Sequence, residues 1–205
     1  MEHRGPDPDH VEQYLQVAAG ILAELDRRAI AEVVRLVVET RTRGGRLFFL
    51  GCGGGAAHAS HAVNDFRILA GMPAFSPADN AAELTARIND AGWETAYADW
   101  LAAFGPTSAD LVFVFSVGGG NVERGLSVNL VRALELAARA GARITGVVGR
   151  DGGATARLAD ACVIVPTVDP AAVTAHTEAF QSVIAHLVVT HPDVLRRTTT
   201  WEQRG

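Results

Sequence analysis

The sequence predicts an α/β protein: a three-layer α/β/α sandwich built on a five-stranded parallel sheet, preceded by an N-terminal helical hairpin. Three observations carry this expectation. Short, continuously apolar runs recur along the chain, such as Leu111-Val112-Phe113-Val114-Phe115, and a strand apolar on both faces belongs in a sheet covered on both sides. Stretches of helical period separate these runs, as parallel crossovers require. Three of the runs end in glycine-rich turns, at the carboxyl edge where open α/β sheets bind ligands.

Each element follows in order. Asp9 precedes apolar residues at Val11, Leu15, Ala18, Leu22 and Leu25, and Ile30, Val33, Val34, Leu36, Val37 and Val38 follow before Arg43-Gly44-Gly45. Both stretches keep a helical period. Residues 1–45 are therefore expected as a helical hairpin that buries its apolar face against the domain or against another subunit. Residues 46–50 read as a strand closing in Gly51-Cys52-Gly53-Gly54-Gly55, and a helix of small residues runs over 56–70. Pro73-Ala74-Phe75-Ser76 is a candidate short strand, and helices are expected near 81–88 and 94–103. The strand at 111–116 ends in Val117-Gly118-Gly119-Gly120 and leads into a helix over 126–140. Residues 144–148 form a strand ending in Gly149-Arg150-Asp151-Gly152-Gly153. Residues 161–165 form another, stopped by Pro166, and 173–189 is a long final helix. The main domain is expected over 46–192, with 193–205 as a C-terminal tail.

Composition excludes several functions. The chain has 205 residues, 48% hydrophobic and 20% charged, which suits one domain with a substantial core. A net charge of −5 argues against a general nucleic-acid binder. All 18 cationic side chains are arginine. Without lysine there is no Schiff base to pyridoxal phosphate or to a sugar carbonyl, and no P-loop nucleotide site. The two cysteines, Cys52 and Cys162, lack metal-site spacing. Residues 1–13 carry no secretory pattern, and no apolar run reaches the ~18 residues of a membrane span. A soluble cytoplasmic protein is expected.

Glycine turns between strand and helix let backbone N–H groups approach an anion, helped by the helix dipole. The loops Gly51–Gly55 and 116–121 fit that role. Neither keeps the spacing of a dinucleotide fingerprint, so a phosphorylated small molecule is the expected ligand. Its phosphate would be held by backbone N–H groups and by the hydroxyls of Ser116 and Ser127. Two histidines and two carboxylates supply candidate chemistry. His61 and Asp65 are four apart on one helix face. Glu178 and His186 are eight apart on the last helix, about 80° past two full turns, so both could line one cleft. The four fit either proton transfer between a carboxylate and a histidine or coordination of a divalent metal, and the two are compatible. Cys52 sits near a helix N-terminus, where its pKa could fall. Trp93, Tyr97 and Trp100 read as packing residues, His176 as a rim residue and Asp151 as a turn former.

From Val11 to Val189 the chain resembles sugar isomerase (SIS) domains, and within them the sedoheptulose-7-phosphate isomerase (phosphoheptose isomerase) family. The resemblance rests on the helical hairpin, Gly51-Cys52-Gly53-Gly54-Gly55 followed by His61, Asn89-Asp90, Ser127-x-Asn129, Gly149-x-Asp151-Gly152-Gly153, Val165-Pro166 and His186. It implies a sheet of flavodoxin-like order. It also implies aldose–ketose isomerisation of a seven-carbon sugar phosphate through an enediol, in a homotetramer with sites between subunits. Asp65 falls at the position of the family's glutamate base and His186 at that of its histidine acid. His61, Asp65, Glu178 and His186 fall at the ligand positions of zinc-binding members. Asp90, beside Asn89, matches a cleft aspartate, and Arg67 lies near a substrate-contacting arginine.

Departures accompany the match. Asp65 is one methylene shorter than the family glutamate, and Glu178 replaces an amide. Gly118, Gly119 and Gly120 stand where the family has a serine-rich run, and Gly55 also replaces a serine. An insertion over 120–125 adds Arg124 as a possible compensating cation. These changes keep two alternatives open: a non-catalytic tetrameric SIS module of the replication-initiator-associating type, and a sugar-phosphate sensor. Convergence of the four candidate ligands favours the enzyme, and scattered side chains favour the binding module.

Overall fold

The apolar runs become five parallel strands: β1 (Leu47–Gly51), β2 (Ala74–Phe75), β3 (Leu111–Ser116), β4 (Arg143–Val148) and β5 (Ala161–Ile164). This is a computed structural model, and it describes residues 8–200. Residues 1–7, at the start of the expected hairpin, and 201–205, in the expected tail, lie outside the described residues. The strand order is β2-β1-β3-β4-β5, with every neighbouring pair parallel. That is the flavodoxin-like order the resemblance implies. The order reverses between β1 and β3, so the loops after these two strands flank the crevice where such sheets take ligands.

β1 and β3 are buried along their whole length. Side chains alternate across the sheet and divide the core in two. On one face Leu47, Phe49, Leu111, Phe113 and Phe115 pack against α2 (Arg27–Thr42), α3 (Gly54–Ile68) and α8 (Val173–Thr190). On the other, Phe48, Leu50, Val112 and Val114 meet α5 (Ala96–Ala103) and α6 (Val128–Arg139). Tyr97 and Trp100 belong to this second core, whereas Trp93 is 42% exposed and meets Tyr97 by its edge.

α1 (Pro8–Glu24) and α2 form the hairpin. α2 starts at an Asp26 cap whose Oδ1 accepts the N–H of Arg28 at 2.8 Å and of Ala29 at 3.2 Å. α4 (Ala81–Ala91) buries no residue completely. α3 begins inside the first glycine loop, two residues earlier than the sequence suggests. A short helix that the sequence pattern does not reveal, α7 (Gly153–Leu158), follows β4. Its six residues are too few to show a helical period. Beyond α8 the chain is tied down: Arg41 donates to the carbonyls of Asp193 and Val194, and the N–H groups of Arg196 and Arg197 donate to Leu69 O.

At the amino end of the sheet, buried Asp110 joins β1 to β3. Its Oδ1 accepts from the Arg46 backbone N–H at 2.8 Å and from Nε at 3.0 Å, while Oδ2 accepts from Nη2 and from the Thr107 N–H, both at 2.8 Å. This end is braced by charge, and the carboxyl end is left to the glycine loops.

Candidate active site

α3 and α8 lie side by side on one face of the sheet, and that contact assembles the site. His61 and Asp65 share a face of α3, and His186 comes from α8. The His61 and His186 Nε2 atoms are 3.0 Å apart. Asp65 Oδ2 lies 3.3 Å from the first and 3.4 Å from the second. Asp65 is mostly buried, while both imidazoles are about half exposed, so the cluster is open to solvent on its histidine side. His58, one turn earlier on α3, stands beside it. Burial lowers its pKa below the usual imidazole range, Glu178 pulls it upward, and His61 and His186 lower it further.

Glu178 is not part of this triangle. The three residues whose donor atoms lie within 4.8 Å of one another are His61, Asp65 and His186. Glu178 instead covers the start of α3: a Cβ on Gly54 would stand 2.4 Å from its carboxyl carbon. The missing side chain makes room, and the positive end of α3 favours an anion there. The first glycine loop, expected as a phosphate cradle through Gly53, Gly54 and Gly55, thus holds the chain's own carboxylate. Gly55 is packed against the Phe115 carbonyl, and Gly53 caps α3 with φ 57°.

The second and third loops are sewn together. Gly119 and Gly120 carbonyls accept the N–H groups of Thr155 and Ala154, each at 2.9 Å, and Thr155 Oγ1 also donates to Gly119 O at 2.8 Å. A Cβ on Gly119 would lie 1.8 Å from Gly152 O. The first N–H groups of α7 are therefore engaged within the chain, and the third loop offers no backbone cradle from them. Ser116 is engaged as well, its Oγ accepting the Gly119 N–H at 3.0 Å. What remains open is a cavity of about 360 Å³, lined in part by Gly118, Gly120, Arg124, Ser127, Arg150 and Thr174. Gly118, Gly120, Arg124 and Ser127 are anticipated from sequence; Arg150 is not.

Three other expected ligand residues lie elsewhere. Arg67 Nε donates to Ala74 O at 2.7 Å and its guanidinium lies over Phe75, so it fastens α3 to edge strand β2. Asn89 and Asp90 are exposed on α4 and hydrogen-bonded to each other at 2.9 Å. Neither they nor Arg67 line the cavity or join the triangle. The expected rim residue His176 is buried at 2% exposure and stacks on Tyr14 with ring centroids 4.2 Å apart. Cys52 has the opposite shift from the one expected. Burial raises its pKa, only partly offset by hydrogen bonding with Asn129 and Tyr97.

The triangle meets the donor requirements of a divalent metal. Two imidazole nitrogens and a carboxylate oxygen are a set that zinc accepts. Tetrahedral ligands at ~2.1 Å from an ion are ~3.4 Å from one another, close to the separations found. Without an ion, the same geometry places a carboxylate and two imidazoles within proton-transfer reach of one small substrate.

No family model matches the chain. The phosphoheptose isomerase of Roseiflexus sp. (strain RS-1) is 30% identical over 195 residues, which cover 93% of this chain and 91% of that protein. That of Aneurinibacillus thermoaerophilus is 30% identical over 185 residues, covering 87% and 88%. Among solved structures, a phosphoheptose isomerase from Francisella tularensis superposes with a TM-score of 0.77 at 22% identity, covering 90% of this chain and 96% of that one. The structural likeness establishes the shared fold. The sequence likeness over nearly the full length of the relatives establishes more: the chain belongs to the phosphoheptose isomerase family.

Proposed function

We propose that this protein interconverts sedoheptulose 7-phosphate and D-glycero-D-manno-heptose 7-phosphate, an aldose–ketose isomerisation through an enediol. The observation that carries the reading is the convergence of His61, Asp65 and His186 at 3.0–3.4 Å, which a non-catalytic module or a sensor does not require. Asp65 takes the proton from C1 of the ketose as His186 delivers one to the C2 oxygen, giving the enediol. His186 then accepts the proton of the C1 hydroxyl, and Asp65 returns its proton to C2. One carboxylate and one imidazole thus complete the transfer with no net proton change. No nucleotide, pyridoxal phosphate or lysine is needed.

His61, Asp65 and His186 would hold one zinc ion per subunit. When bound, such an ion supplies Lewis-acid polarisation of the sugar carbonyl and stabilises negative charge on the enediolate. The phosphate goes to the cavity of the second loop, where Gly118, Gly120, Ser127 and Arg124 face it. A homotetramer with sites at subunit interfaces is supported by family membership and by exposed apolar side chains on α1. A cytoplasmic location is supported by two free thiols and by the absence, among the described residues, of a helix able to cross a membrane. Incubation with sedoheptulose 7-phosphate in deuterium oxide tests the reaction. Aldose carrying deuterium at C2 is expected, whereas no aldose and no exchange would overturn the assignment.

A further inference from the structure

Among the described residues, two that are not glycine adopt a left-handed backbone, Ser127 at φ 48° and Arg150 at φ 54°. Both line the cavity of the second loop. A side chain makes this conformation unfavourable, so it persists only where neighbouring structure imposes it. At Arg150 the imposing bonds are Gly149 N–H to Val117 O and Gly152 N–H to Gly149 O, each 3.0 Å. The Arg150 Cδ lies 3.9 Å from where a Cβ on Gly118 would be, so the stem runs beside the second loop. Arg124 approaches from another wall. It is carried by a tight hairpin in which Asn121 and Leu126 exchange N–H···O bonds of 2.8 and 2.9 Å, with Asn121 Oδ1 accepting the Arg124 N–H at 3.0 Å.

Neither guanidinium has a side-chain partner among the described residues. The one carboxylate lining the cavity, Asp151, is engaged through Oδ1 with the Gly153 N–H at 3.2 Å. Two cations without a side-chain partner thus line a space beside which the first N–H groups of α7 are already spent inside the fold. We propose that Arg150 is a phosphate-recognition residue of this enzyme, closing with Arg124 as a two-guanidinium clamp that selects dianionic substrates. The proposal rests on the isomerase reading for its substrate, but the clamp itself is a property of the cavity. Guanidinium groups match phosphate in shape and charge, so charge here adds to what the Ser127 hydroxyl supplies.

The test compares wild type with Arg150→Gly, Arg150→Lys and Arg139→Ala. Glycine accepts the left-handed backbone, so Arg150→Gly removes the cation without disturbing the turn. Arg139 is an exposed cation at the far end of α6 and controls for net charge. Inorganic phosphate binding is measured by calorimetric titration, and steady-state kinetics on sedoheptulose 7-phosphate run in parallel. Arg150→Gly is expected to weaken phosphate about tenfold and to lower kcat/KM about tenfold, chiefly through KM. Arg150→Lys recovers part of both, and Arg139→Ala changes neither. If wild type isomerises the sugar but Arg150→Gly keeps phosphate affinity and KM, the clamp is wrong and the isomerase stands. If wild type binds phosphate in an Arg150-dependent way without isomerising, the clamp stands and the isomerase reading falls. Wild type that binds no phosphate overturns the clamp.

Discussion

Asp65 and His186 meet at 3.4 Å from distant parts of the sequence, and the proposed chemistry depends on that contact. Asp65→Asn keeps the shape but removes the proton acceptor. Turnover is expected to fall at least ~100-fold while circular dichroism stays unchanged; a variant within threefold of wild type would remove Asp65 from the mechanism. The half-buried thiols give a second test. Burial pushes Cys162 up to about 12 and raises Cys52 as well. Both remain protonated at pH 7.5, so iodoacetamide should modify them far more slowly than it modifies glutathione under the same conditions, as read by intact mass. The i,i+4 spacing of His61 and Asp65 was legible because a helix face follows from numbering alone. Placing Glu178 with them failed because numbering gives a direction around the helix, and the space left by Gly54 decided where the carboxylate settled. Arg150 was invisible for another reason: a left-handed arginine leaves no mark in a string of letters.

At the scale of elements, the strands were readable because a parallel strand buried on both faces must be apolar throughout, and β1 and β3 are. The glycine loops were located correctly but read too uniformly. Three look alike in sequence, yet one receives a carboxylate, one opens a cavity and one is consumed by its neighbour. Adjacent glycines should therefore respond differently to one methyl group. At Gly118 a new Cβ meets only the Arg150 Cδ at 3.9 Å, while at Gly119 it strikes the Gly152 carbonyl in a backbone at φ 66°. Gly118→Ala is expected to cost under ~1 kcal/mol, and Gly119→Ala more than ~3 kcal/mol. Thermal melts of the two proteins decide it, and equal losses would contradict the packing described. The missed α7 is stabilised by bonds to another loop, which no local propensity reports.

For the molecule as a whole, acid stability rests on the Asp110 brace. Burial alone would raise this carboxyl's pKa, but hydrogen bonds from Arg46 and Thr107 and the Arg46 charge outweigh it, and the net shift is downward. The brace therefore contributes fully above the pKa of an unfolded aspartate and is lost as pH falls through the lower folded value. Urea unfolding should show Asp110→Asn less stable by about 2 kcal/mol at pH 7, with the gap to wild type closing toward pH 3. The proposed homotetramer is a second matter for the whole chain. Val11, Leu15 and Leu22 of α1 are each more than half exposed. A groove of about 560 Å³ lies between α2 and the end of α8, lined by Ile30, Val34, Val38 and Leu187. Leu15→Glu should shift light scattering from tetramer toward smaller species; a wild-type monomer would contradict the proposed assembly.

The bonds that sew α7 to the second loop also have a kinetic signature. Amides in the first turn of a six-residue helix normally lack acceptors and trade their hydrogens for deuterium almost at once. Here Ala154 and Thr155 donate to Gly120 and Gly119, and Thr155 is fully buried. Their exchange should be as slow as that of the central strands, in a stretch where glycine content suggests slack. A ligand would then meet a cavity floor whose order was fixed during folding, and little of its binding free energy would go into stiffening that floor.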